Sequence, residues 1–169
     1  MRVITGTARG RRLNELKGKE TRPTTDRVKE GIFNIIQFDI EGRRVLDLFG
    51  GTGQLGIECL SRGAAHATFV DARTDAALAN RATVLTADYA TVLSGAVEKY
   101  DLVFLDPPYE TKLLERSLEL ISQFDILREH GIIICESPQE KSLPDLSAPY
   151  GKYREYRYGK IKVTVYHRD

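Results

Sequence analysis

The sequence predicts an α/β fold: a doubly wound, mostly parallel sheet with an antiparallel C-terminal hairpin and a short basic N-terminal arm. Short apolar runs of strand length alternate with amphipathic stretches of helical period along the 169 residues. A glycine-rich turn, Gly51-Thr52-Gly53-Gln54-Leu55-Gly56, follows one of the early runs. Four acidic residues, Asp47, Asp71, Asp88 and Asp106, stand at or near the ends of successive runs. In an open parallel sheet those ends converge on one crevice, where ligands bind.

Residues 3–13, with Gly6 and Gly10, read as a short basic hairpin or extended arm. A loop follows through Arg22-Pro23-Thr24-Thr25. Thr24 or Thr25 can cap a helix from Asp26, whose apolar positions are Val28, Ile32, Phe33, Ile35 and Ile36. Strands are expected over 43–48, 67–71, 82–86, 102–105 and 131–135, and helices over 54–61 and 113–124. Leu102-Val103-Phe104-Leu105 is apolar throughout, which suits a central parallel strand covered on both faces. Residues 153–167 alternate enough for two antiparallel strands about Tyr158-Gly159-Lys160. Residues 72–83 are short for a parallel crossover with its helix, which needs at least about 10–12 residues. Either this crossover is unusually compact or residues are missing from the sequence there.

The length suggests one domain, and a hydrophobic content of 41% suffices for one core. No apolar stretch approaches the roughly 18 residues of a membrane span, and the first residues lack the apolar region of a secretory signal. Cys59 and Cys135 sit in apolar contexts without C-x-x-C spacing, so neither a disulfide nor a zinc site is expected, and a reduced, cytoplasmic setting fits best. The net charge of +1 hides a partition. Residues 1–30 carry nine Lys/Arg against four Asp/Glu, residues 31–150 ten against eighteen, and residues 151–169 six against two. Basic ends around an acidic middle hint at nucleic-acid contact.

Taken literally, the glycine turn with Asp71 twenty residues beyond Gly51 is a dinucleotide fingerprint and would make the chain an NAD oxidoreductase. Asp47 argues against that reading, because a carboxylate just before the loop would repel a pyrophosphate. It suits S-adenosylmethionine, which carries an ammonium and a cationic sulfur. Asp71 would then accept hydrogen bonds from the ribose hydroxyls, and Asp88 or the backbone beside it would meet the adenine amino group. The stretch from Val45 to Gly53 (Val45-Leu46-Asp47-Leu48-Phe49-Gly50-Gly51-Thr52-Gly53) resembles the first motif of class I methyltransferases, with Asp71 and Asp88 at their second and third acidic positions. That resemblance implies a Rossmann-like fold, with Asp47, Phe49, Gly51, Gly53, Asp71 and Asp88 binding the cofactor.

Asp106-Pro107-Pro108-Tyr109 is the most specific signal in the chain. Two prolines at a strand end remove backbone donors and lock φ, so the turn is rigid. A rigid turn can hold the Asp106 carboxylate and the Pro107 carbonyl where both accept from an exocyclic amino group, while Tyr109 stacks on the base. No metal is needed for transfer to such a nitrogen. The tetrapeptide resembles the D/N-P-P-Y/F motif of methyltransferases acting on amino groups of adenine, guanine or glutamine.

The segment Arg22-Pro23-Thr24-Thr25-Asp26-Arg27-Val28-Lys29-Glu30-Gly31-Ile32-Phe33-Asn34-Ile35, preceded by Arg9-Gly10-Arg11-Arg12, resembles the RsmD family of bacterial 16S rRNA guanine-N2 methyltransferases. The resemblance runs from the Met1 arm to the Tyr158-Gly159-Lys160 hairpin. It implies one methyltransferase domain over 1–169, with 1–25 as basic arm and loop and 43–169 as the Rossmann-like core. Residues 22–27, Thr24 among them, would line the cofactor crevice, and Arg9, Arg11, Arg12, Arg22 and Arg27 would contact phosphates. The partner implied is 16S rRNA or the small ribosomal subunit, met by a monomer in the cytoplasm with no membrane involved. Two departures stand out: the short crossover after Asp71, and Lys160 where the family has an acidic residue. The competing readings are an adenine-N6 methyltransferase acting on nucleic acid, an RNA-binding module without catalysis, and the NAD enzyme.

Overall fold

The computed structural model describes residues 2–13, 25–70, 80–109 and 111–169. Among the described residues eleven elements follow in chain order: α1 (Asp26–Ile35), β1 (Arg44–Asp47), α2 (Gln54–Ser61), β2 (His66–Val70), β3 (Ala82–Leu85), α3 (Tyr89–Ser94), β4 (Tyr100–Leu105), α4 (Leu113–Gln123), β5 (Leu127–Pro138), β6 (Tyr150–Tyr158) and β7 (Ile161–Arg168). The strands form one sheet in the order β3-β2-β1-β4-β5-β7-β6. β1 to β5 run parallel, and β7 and β6 close the sheet antiparallel.

The order explains where a ligand can bind. The chain winds outward from β1 through β2 to β3, then crosses by α3 to β4 on the other side of β1. Connections leave β1 and β4 in opposite directions, which opens a crevice at their carboxyl ends. Asp47 ends β1 opposite Phe104 of β4, and Leu105 is the last residue before Asp106.

Alternation along each strand divides the core in two. Val45, Phe69, Leu102, Phe104 and Ile134 face α1, α2 and the arm residues Val3 and Leu13. Leu46, Leu48, Val103, Leu105 and Ile133 face Leu93 of α3 and Leu114, Leu118 and Ile121 of α4. Both faces of the central strands are covered, as their unbroken apolar runs require.

The helix from Asp26 starts where the sequence suggests, and Thr25 is its cap, its hydroxyl accepting from Val28 N–H at 3.3 Å. The arm is a hairpin: Arg2 bridges Arg12 antiparallel, and Gly10 N–H donates to the Val3 carbonyl at 2.9 Å. β5 is longer than 131–135, extending back to Leu127 and on to Pro138. α3 has no counterpart in the sequence reading, since six residues with one buried position, Leu93, leave no readable period. β3 pairs parallel with β2, so the short crossover joins neighbouring strands. Residues 71–79 within it lie outside the described residues.

Candidate active site

The glycine loop is shaped by its own backbone. Gly51 and Gly53 have φ of 54° and 78°, a left-handed conformation that side chains resist. Gly50 N–H donates to Val70 O at 3.1 Å, drawing the loop across the end of β2, and Ile57 N–H donates to Gly53 O at 2.8 Å as α2 begins. Gly56, the third glycine, sits where a Cβ would come within 2.4 Å of the Phe69 ring, so its absence lets α2 pack close on β2.

Asp47 lies beneath this loop. It is 2% exposed, and its carboxylate accepts from Gly56 N–H at 3.3 Å at the start of α2. Burial pushes the carboxyl up to about 7, against a smaller downward pull from that hydrogen bond. The side chain therefore ties the end of β1 to the first turn of α2, and a cation bound nearby would favour its charged form.

Phe49 extends from the loop toward α3, where its ring meets Tyr89 at 5.7 Å between centroids. Asp88, exposed just before α3, caps that helix by accepting from Ala90 N–H at 3.1 Å. Its carboxylate is thus engaged with α3. These groups form a donor set suited to an adenosyl ligand bearing a positive charge: a buried carboxyl under a backbone loop, with aromatic rings at one wall. Asp71, Thr24 and Arg22 lie outside the described residues.

The Asp106 turn follows β4 directly. Asp106 is half-buried, Pro107 buried and Tyr109 half-buried, with Pro108 exposed. The turn is braced by residues that the sequence reading did not single out. The Tyr109 hydroxyl donates to Glu136 Oε1 of β5 at 3.3 Å. Thr111 Oγ1 donates to the Pro108 carbonyl at 2.9 Å. Lys141 Nζ donates to the Thr111 carbonyl at 2.9 Å and pairs with Glu115 of α4 at the same distance. Lys162 Nζ in turn donates to the Lys141 carbonyl. Glu136 had a signal, because it directly follows the apolar run 131–135. The Thr111, Lys141 and Glu115 contacts join separate segments and leave none.

The arm is bound to the core through Glu58 of α2, which is fully buried. Ile4 and Thr5 donate their backbone N–H groups to its two oxygens at 2.7 and 3.0 Å. Buried Lys29 of α1 pairs with it at 3.2 Å and donates to the Arg2 carbonyl at 3.0 Å. Arg62 adds a contact at 3.1 Å. Burial opposes ionisation of Glu58, but these donors hold its carboxyl below the ordinary value. Arg9, Arg11, Arg12 and Arg27 are exposed around this anchor, on the arm and the first turn of α1. Among the described residues no group of three or more His, Cys, Asp and Glu could hold a metal ion, and no helix is long and apolar enough to cross a membrane.

Residues 1–167 match the protein family described as Conserved hypothetical protein 95. YlbH of Bacillus subtilis is 40% identical over 180 residues, covering 98% of both chains. Ribosomal RNA small subunit methyltransferase D of Escherichia coli K12 is 35% identical over 179 residues, covering 100% of this chain and 90% of its own. The solved structure of yhhF from Escherichia coli superposes with a TM-score of 0.86 at 34% identity, covering 100% of this chain and 98% of that one.

Proposed function

This chain belongs to the RsmD family of class I, S-adenosylmethionine-dependent methyltransferases, and from that membership we propose that it methylates the exocyclic N2 amino group of a guanine in 16S rRNA. The observation that carries the reading is the Asp106-Pro107-Pro108-Tyr109 turn, set at the end of β4 beside the glycine loop that follows β1.

S-adenosylmethionine supplies an electrophilic methyl group on a cationic sulfur. The chain's own part is orientation. The Asp106 carboxylate and the Pro107 carbonyl accept from the guanine amino group and direct its nitrogen lone pair toward the methyl carbon. Transfer to that nitrogen would break the methyl–sulfur bond as the N–C bond forms, and the nitrogen's surplus proton would pass to water. Tyr109, steadied by Glu136, stacks on the base. Asp47 ties the end of β1 to the start of α2 and would balance the positive charge of the cofactor when it binds. By the family resemblance Asp71 accepts from the ribose hydroxyls and Thr24 contacts the cofactor, while Asp88 contributes through its backbone. Arg9, Arg11, Arg12, Arg22 and Arg27 hold the RNA backbone, as the basic charge of residues 1–30 suggests.

The substrate is supported by the name of the Escherichia coli relative, a small-subunit rRNA methyltransferase. The test is incubation with methyl-labelled S-adenosylmethionine and 16S rRNA or small subunits from a strain lacking the enzyme, followed by nucleoside analysis. Label in N2-methylguanosine is expected. Label in N6-methyladenosine, or none in guanosine, would overturn the assignment.

A further inference from the structure

We propose that the outer edge of the sheet, strand β6, is a second RNA-contact strip that grips the phosphate backbone beside the target nucleotide. The inference rests on the rRNA reading above and extends it to a surface that reading leaves unused.

β6 is the edge strand, and with the turn that follows it interleaves basic and aromatic residues: Lys152-Tyr153-Arg154-Glu155-Tyr156-Arg157-Tyr158-Gly159-Lys160. Arg154, Arg157 and Lys160 are exposed, and among the described residues none of them pairs with a carboxylate. The strip's one acid, Glu155, faces Lys162 at 3.6 Å, which offsets its charge locally. Arg154 pairs in register with Val165 and Arg157 with Lys162, so the two guanidinium groups straddle the strand, one on each face of the sheet.

Aromatic rings support the basic groups. Tyr153, 58% exposed, stacks on His167 with centroids 4.3 Å apart and planes 13° from parallel. Arg154 lies 5.8 Å from the Tyr153 ring and 5.9 Å from Tyr156. A guanidinium held against rings is pre-placed for a phosphate, and an exposed ring gives an unpaired base a stacking surface.

The ladder sets the distance from the active site. Leu105, just before Asp106, pairs with Cys135; the next residue, Glu136, pairs with Val163, and Val163 with Tyr156. Three strand spacings of about 4.8 Å put β6 roughly 14 Å from β4 at the level of the catalytic turn. Arg157 and Lys160 lie further toward that same end of the sheet. A nucleotide at Asp106 therefore brings its neighbouring phosphates within reach of β6. A second copy of the chain is disfavoured as occupant, because pairing edge to edge would bring Arg154 and Arg157 against like charges.

The test compares the wild type, an Arg154→Gln/Arg157→Gln double variant, a Lys160→Gln variant and an Arg9→Gln/Arg12→Gln arm variant, all with S-adenosylhomocysteine bound. Affinity for a labelled 16S rRNA fragment is titrated against potassium chloride. The β6 double variant should bind about 10-fold more weakly at 0.15 M salt, with the slope of log K against log[salt] reduced by about 1.4. Lys160→Gln should reduce that slope by about 0.7. Melting temperature and S-adenosylhomocysteine affinity should match the wild type. An arm variant that loses affinity while the β6 double variant and Lys160→Gln both keep wild-type affinity and slope would overturn the proposal alone. A wild type with no salt-dependent affinity for rRNA would overturn the rRNA reading and this proposal with it. Salt-insensitive self-association that the β6 substitutions change, with RNA affinity unaltered, would assign the edge to a protein partner instead.

Discussion

The Tyr109 hydroxyl donates to the Glu136 carboxylate at 3.3 Å, tying the turn after β4 to the end of β5. The proline turn fixes the backbone at Asp106, and this contact fixes the ring that would stack on the base. Tyr109→Phe keeps the ring and loses the tether, so single-turnover methylation should slow about 5- to 10-fold, as expected for one hydrogen bond. Tyr109→Ala removes the stack as well and should cost a further ~10-fold or more in RNA-dependent rate. Equal rates for Phe and Ala would show that stacking contributes nothing.

Asp47 couples the cofactor loop to pH. Its carboxyl sits at about 7 in the fold against an ordinary 3.8. The folded protein thus holds this proton more tightly than the unfolded chain does. The contribution to stability is full below about pH 3.8 and is lost as pH rises to about 7. Asp47→Asn should flatten that decline and leave the ligand-free protein more stable than wild type at pH 8, by up to ~4 kcal/mol. Binding a cationic ligand above the loop favours the carboxylate, so S-adenosylmethionine should release a proton from the wild type near pH 7 and none from the variant. Calorimetry in buffers of different ionisation heat reads this directly, and identical proton release from both proteins would contradict it.

Glu58 carries the arm. It accepts from Ile4, Thr5, Lys29 and Arg62, and both it and Lys29 are buried. Glu58→Ala leaves the Lys29 ammonium inside without its partner and should destabilise the fold by about 3–5 kcal/mol in urea denaturation. Adding Lys29→Met removes the stranded charge and should recover most of that loss. The recovered double variant should still show a raised KM for rRNA with kcat little changed, because the arm has lost its anchor. An unchanged KM would separate the arm from substrate binding.

The frame of this fold was legible because each layer left its own mark. Apolar runs ending in Asp47 and Asp106 identified strands and their ligand-facing ends together. The glycine turn was legible too, and the structure gives Gly56 a reason the spacing alone does not: the Phe69 ring occupies the space of its missing Cβ. α3 was hidden because a six-residue helix has no period to read, and Asp88, which caps it, was read for its place after a strand. Glu136 follows an apolar run as Asp106 does, so the rule that found the one also points to the other. The Thr111–Lys141–Glu115 bracing depends on three segments meeting, which no local pattern encodes. The Lys29–Glu58 pair is of the same kind, since exposed and buried lysines look alike in a sequence.

The central claim is that Asp106 orients the accepting amino group and leaves cofactor binding to the neighbouring loop. The most direct measurement is the single-turnover methylation rate of Asp106→Ala on 16S rRNA, taken beside its S-adenosylhomocysteine affinity in the same preparation. The expected rate is at least about 100-fold below wild type with cofactor affinity nearly unchanged. A wild-type rate, or a loss explained by weakened cofactor binding, would contradict it.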